Sequence, residues 1–338
     1  MRVDLFLIGD SVHNRPEQVP SLLVEYGATA ERSGFDGVWL AEHHFIRYGA
    51  CPSATLLAGH LLARTSTLRV GTAACVLSNR HPVALAEEAA MLDGLSGGRF
   101  MLGVARGGPW VDLEVFGVGE ARFARGFPES LDLLLDWTSG ADRVGAAGEF
   151  FYFRPVDVLA KPSGDLGVWV AATSEDTVET AARRGLPLLL GVHASEEEKA
   201  ALLRRHAEVA ASCGHDPDGF EHAAVYLAHA ADSAEAARDR LRRPLTEWLA
   251  EGVGDYVRLN GSRGSRDQAG YAERLLGSPL VGPASESAVA AAAEIGLKRI
   301  LLLVEGPREP RAVRENIERL GARLLPACER LTSAARRG

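Results

Sequence analysis

At 338 residues and 46% hydrophobic content, the chain can bury a large core, as one big α/β domain or as two ordinary ones. A formal net charge of −8, with no long basic block, argues against a nucleic-acid or anionic-membrane partner. Cys51, Cys75, Cys213 and Cys328 form no close pair and no metal-ligand spacing, so reduced thiols in the cytoplasm are expected, without disulfides or zinc. The amino-terminal apolar run is interrupted by Asp4 and is too short for a signal peptide or a membrane span.

Residues 3–8 form a short apolar run fit for a first strand, and residues 17–33 carry helical spacing closed by Gly34. The second strand lies in Gly34-Phe-Asp-Gly-Val-Trp-Leu-Ala-Glu-His-His-Phe45, an apolar core that runs straight into Glu42, His43 and His44. A helix over 53–64 precedes a third strand over 68–74, which ends in the small residues Ala73 and Ala74. Pro82 opens a helix to Leu95, Ser96-Gly97-Gly98 ends it, and a fourth strand covers 99–105. Arg106-Gly107-Gly108-Pro109-Trp110 then reads as a glycine-rich loop, with a helix over 125–137.

The period-two stretch 148–158 predicts an inserted surface hairpin. Strands are expected over 168–172, 186–191 and 223–229, with helices over 175–184, from Ser195 towards Gly214, and over 232–250. Residues 251–283, rich in glycine, read as a long irregular loop. A helix over 285–294, a strand over 299–304 and a helix over 310–331 complete the chain. Eight strand–helix alternations predict one (β/α)8 TIM-like barrel domain over 1–333, with a frayed tail at 334–338. A doubly wound sheet is disfavoured because the first strand leads into no G-x-G-x-x-G turn, and no P-loop occurs.

Chemistry in such a barrel gathers at the carboxyl ends of the strands, which here carry Glu42, His43, His44, Ala73, Ala74, Arg106, Thr173 and Ser174, with Thr177 one helical turn on. Hydroxyls and backbone N–H groups at a helix start, faced by an arginine, suit a phosphate dianion. Thr173-Ser-Glu-Asp176 is equally an ordinary helix cap. Metal binding by His43 and His44 is disfavoured, since adjacent strand residues point to opposite faces.

Together with the 34–45 stretch, Val70-Gly-Thr-Ala-Ala74, His81-Pro-Val83, Gly98-Arg-Phe100, Arg106-Gly107, Gly185-Leu-Pro187 and Gly214-His-Asp216 resemble the bacterial luciferase-like, flavin-dependent monooxygenases, in the same order over nearly the whole chain. The resemblance implies an enzyme that binds reduced FMN from a separate reductase, forms a C4a-(hydro)peroxide with O2, and oxygenates an aldehyde, ketone or larger apolar metabolite. It implies His43 as the catalytic acid or base, Glu42 at the flavin ring, and Ala73 and Ala74, joined by a cis peptide, against the isoalloxazine. Arg106, Ser174 and Thr177 match its phosphate positions, Thr173 stands where the family has a glutamate, and His44, Trp110 and Val192 fall in the substrate pocket.

Luciferase carries a reactive cysteine where this chain has Ala105, and a tryptophan where it has Val192. Those departures imply an altered pocket and put light emission in doubt. A homodimer through the helix after His81-Pro82 is implied. Two alternatives share the fold: a deazaflavin-dependent oxidoreductase and a non-catalytic flavin-binding partner subunit.

Overall fold

The structure, a computed structural model, describes residues 1–252 and 268–335. Its strands are β1 Arg2–Leu7, β2 Gly37–Leu40, β3 Arg69–Thr72, β4 Cys75–Val76, β5 Phe100–Ala105, β6 Arg143–Ala147, β7 Tyr152–Asp157, β8 Val168–Ala171, β9 Leu188–Leu190, β10 Ala223–Leu227, β11 His229–Ala230, β12 Val281–Gly282 and β13 Arg299–Leu303. Running β3-β2-β1-β13-β10-β9-β8-β5, the main sheet is parallel throughout, and a further β3–β5 pairing closes it into an eight-stranded barrel. Short β4 continues beyond β3 and pairs with the last residues of β5. This is a TIM-barrel-like α/β fold, as the alternation of elements predicts.

Strands of a closed parallel barrel are covered on both faces, which accounts for unbroken apolar runs such as the five buried residues of β10 and of β13. One set of side chains packs outward against the helices; the other fills the barrel, where Trp39 meets Trp169 edge to face at 5.2 Å. Gly71 and Gly103 make room for this filling. A Cβ on Gly71 would lie 2.5 Å from the Trp39 ring, and one on Gly103 would lie 2.0 Å from the Thr72 carbonyl oxygen. At the amino-terminal end, Asp4 accepts from the Trp39 indole at 2.8 Å and pairs with the buried Arg299, which also reaches Glu221 at 2.9 Å. That end is closed, so an open site belongs to the opposite end.

Several boundaries differ from the sequence expectation. The hairpin is β6 with β7 and so begins at Arg143, because its turn takes up residues 148–151, including the first two of the aromatic run. Part of the stretch expected to be irregular is ordered: Gln268–Leu276 is a helix, and β12 pairs in parallel with β11. The preceding charged helix extends over Ala234–Gly252, while residues 253–267 of the expected loop lie outside the described residues. A short helix, Trp110–Val115, follows the glycine-rich loop and was not expected. The last helix, Pro310–Ala335, takes in Ala334 and Ala335 of the expected frayed tail; the rest of that tail lies outside the described residues. Among the described residues no helix is long and apolar enough to cross a membrane.

Candidate active site

Register places the candidate residues side by side. Leu40 pairs with Thr72 and Ala105 pairs with Ala171, so the neighbouring ends of β2, β3, β5 and β8 carry Glu42 to His44, Ala73 and Ala74, Arg106, and Thr173 to Thr177. The peptide between Ala73 and Ala74 is cis, and Ala73 packs with Val192 against the inner cluster of the barrel.

Glu42 is buried and accepts on both oxygens. One oxygen accepts from the Val76 N–H at 3.0 Å and the other from the Ala54 N–H at 3.2 Å. His44 and Arg80 stand farther off, at 3.8 and 3.9 Å. Burial works to raise its pKa, but His44, the Val76 N–H, Arg80 and the Ala54 N–H outweigh it and hold the carboxyl below its ordinary range.

His43 is poised differently. Its Nδ1 is buried without a hydrogen-bond partner, and its ring meets Tyr48 edge to face at 5.2 Å. Desolvation lowers its pKa to about 4 against the opposing pull of Glu42, so the imidazole is neutral near pH 7. Gly49 sets the ring's place: a Cβ there would lie 2.7 Å from Nδ1 and 2.4 Å from the Ile8 carbonyl oxygen.

At the β8 end the two readings of Thr173 to Asp176 separate. Ser174 occupies the N-cap position of helix Glu175–Arg183 but makes no side-chain cap; its hydroxyl lies 3.1 Å from that of Thr177. Glu175 and Asp176 are solvent-exposed, and so is Thr173. The Arg106 guanidinium packs over the Phe123 ring at 5.2 Å and has no carboxylate partner among the described residues. Two paired hydroxyls, an uncapped helix start and an unneutralised arginine on the adjacent strand end fit a phosphate. The small Ala73 and Ala74 between that cradle and His43 leave space for a flat ring system, so the residues present fit a flavin mononucleotide.

On the other side His44 meets Phe116 edge to face at 4.9 Å, and Phe116 lies 5.6 Å from Phe45. Phe45 adopts φ of 57°, a left-handed conformation uncommon for an aromatic residue, and is 55% exposed. Trp110 is also partly exposed. The result is an aromatic rim over the mouth.

Sequence reasoning missed three contributors. Tyr48 stacks on Trp248 at 4.4 Å and backs His43, a link across 200 residues that no local pattern reveals. Glu305, after β13, accepts from the Ile8, Gly9 and Asp10 N–H groups, and burial with the nearby Asp10 charge raises its pKa to about 7. Arg80 directly precedes the His81-Pro82 helix start, where a side chain directed back towards Glu42 could have been suspected.

The fold is a parallel barrel with a neutral histidine, small residues and paired hydroxyls gathered at one end. The chain belongs to the luciferase-like monooxygenase family, whose profile matches residues 1–323. Among curated relatives, the alkanal monooxygenase alpha chain of Photorhabdus luminescens is 35% identical over 68% of this chain, and the match spans 64% of the relative's length. That of Aliivibrio fischeri is 32% identical over 70% of this chain and 66% of the relative. Similar solved structures include the monooxygenase RslO1 from Streptomyces bottropensis, with a TM-score of 0.82 at 22% identity over 96% of this chain and 99% of that one. The FMN complex of the oxygenating constituent of 3,6-diketocamphane monooxygenase from Pseudomonas putida has a TM-score of 0.72 at 18% identity over 97% and 98%. An F420-dependent secondary alcohol dehydrogenase is equally similar in fold, with a TM-score of 0.75 at 17% identity over 96% and 98%.

Proposed function

We propose that the protein is the oxygenating component of a two-component monooxygenase that uses reduced FMN and O2. The single observation carrying this reading is the gathering, at one end of the barrel, of a neutral histidine after β2 and an uncapped helix start after β8 beside Arg106. Reduced FMN, when bound, supplies the two electrons that let one atom of O2 enter the substrate and the other leave as water. Ser174, Thr177, the first turn of helix Glu175–Arg183 and Arg106 hold the phosphate. Ala73 and Ala74 would leave the ring room, Glu42 would face it as a charged acceptor, and His43 would take and return a proton on its imidazole. A group whose free base dominates at neutral pH suits that exchange, and general acid–base catalysis is worth ~10²–10⁴ in rate.

The aromatic rim of Phe45, Phe116 and Trp110 favours an apolar substrate, an aldehyde, ketone or larger metabolite, with His44 and Val192 on its path. A reductase elsewhere supplies the reduced flavin. Two copies of the chain pair through helix Pro82–Ser96, and cysteines held outside disulfides suit the cytoplasm.

The test is His43→Ala. The variant is expected to keep its affinity for reduced FMN while O2 uptake uncouples from product and ends in hydrogen peroxide. Coupling equal to the unaltered protein's would remove His43 from the role.

A further inference from the structure

Glu42, the buried carboxylate of the site, is reached by Arg80, which the proposed chemistry has not used. Arg80 forms one side of a closed ring of contacts. Its Nη2 donates to both oxygens of Glu88, at 2.7 and 2.6 Å, while Nη1 lies 3.9 Å from the Glu42 carboxylate. The Thr55 hydroxyl donates to Glu88 at 2.9 Å, and the neighbouring Ala54 N–H donates to Glu42 at 3.2 Å, which completes the ring. The members come from the loop after β2, the start of helix Ala54–Arg64, the turn after β4 and helix Pro82–Ser96. Arg122 donates to the Arg80 carbonyl at 2.7 Å and fixes the backbone from which the guanidinium extends.

We propose that Arg80 is a positioning residue that bridges Glu42 to Glu88 and thereby keeps the Glu42 carboxylate charged and fixed at the cofactor site. The inference rests on the reading above only in taking Glu42 to face reduced FMN.

The geometry favours this role over that of a surface ion pair. The Arg80 side chain is 22% exposed and that of Glu42 only 3%, so solvent screens their interaction weakly. Arg80 is the permanent cation beside Glu42 among the described residues; His44, at 3.8 Å, is charged only when protonated. The remaining ionisable groups that act on Glu42, or are acted on by it, are neutral or repel it. Cys51 and Cys75 are thiols whose pKa burial pushes up, His43 is held neutral by desolvation, and Asp112 feels Glu42 as a like charge. Two backbone N–H groups remain to hold the carboxylate if Arg80 is removed, so the variant is expected to retain the fold. While ionised the carboxylate is acceptor-only on both oxygens, which matches the two N–H donors that face it.

The experiment is to titrate Glu42 by carboxyl ¹³C resonance in the flavin-free protein and in Arg80→Gln and Arg80→Lys. Removing a cation at this distance is expected to raise the Glu42 midpoint by ~1 unit or more in Arg80→Gln, with Arg80→Lys restoring most of the difference. An unchanged midpoint in Arg80→Gln overturns the proposal. In parallel, the acid-side fall in reduced-FMN affinity should move up by the same interval. A shifted Glu42 midpoint with unshifted flavin affinity would support the Arg80 bridge and overturn instead the placement of Glu42 at the flavin. Should Arg80→Gln not fold, rotation about Nε–Cζ of Arg80 in the unaltered protein decides. Slow rotation, with distinct Nη signals, is expected of a bridge, and a freely rotating guanidinium contradicts it.

Discussion

Three imidazoles at distinct places in the molecule are held neutral by burial: His43 and His229 at about 4 and His222 at about 3. An unfolded histidine titrates near 6.5, so between about 6.5 and 4 the unfolded chain binds more protons than the folded one. Stability therefore declines as pH falls through that window. Glu305, raised to about 7, acts in the opposite sense: its contribution is present at low pH and is lost as pH rises from the unfolded carboxyl value towards 7. Burial also lowers His81 and His206 and raises Asp112, so the depressed imidazoles outnumber the raised carboxyls and the net effect is acid destabilisation. The Tm is expected to fall steadily from pH 6.5 to pH 4, and His229→Gln should shallow the slope; a Tm independent of pH over that interval would contradict the assignment. Residue chemistry of this kind was only partly legible in the sequence. The Glu42, His43, His44 trio announced itself at a strand end, whereas the depressed basicity of His43 depends on Gly49 and Tyr48, whose closeness only the folded backbone creates.

Among the elements, the strand ends and helix Glu175–Arg183 carry the cofactor argument. The sequence left that helix start undecided between a cap and a phosphate site, because the same serine and threonine serve both. Ser174 makes no capping bond and pairs with Thr177 instead, which favours the phosphate reading. Removing the charged or hydroxyl partners one at a time, by Arg106→Ala or Thr177→Ala, is expected to weaken reduced-FMN binding by roughly 10- to 100-fold, the value of a hydrogen bond to a charged group of about 1.5–3 kcal/mol. Reduced riboflavin has no phosphate, so its affinity should hardly change. Equal losses for both flavins would move these residues away from the phosphate. Elements placed wrongly from sequence share a cause: helix Gln268–Leu276 and strand β12 follow a glycine-rich stretch, and β12 is only two residues long and exists through its pairing with β11.

Across the whole molecule, the alternation of short apolar runs with amphipathic segments pointed to eight parallel strand–helix units and hence to a barrel. The ring closure through β3 and β5 was not separately visible. Met91 and Leu95, one turn apart on helix Pro82–Ser96, are 59% and 82% exposed and so give that helix an apolar outer stripe. This is the face through which we infer that two copies associate. Leu95→Glu combined with Met91→Glu should convert a dimer to a monomer in sedimentation, and a monomeric unaltered protein at tens of micromolar would rule the pairing out.

The central claim joins this architecture to one cofactor and one oxidant. It is tested most directly by titrating the protein anaerobically with reduced FMN and, separately, with a reduced deazaflavin, then admitting O2 to each complex. The account expects saturable binding of one reduced FMN per chain, a weaker response to the deazaflavin, and uptake of one O2 per bound FMN. Tight binding of the deazaflavin alone, or a reduced-FMN complex that consumes no O2, would contradict it.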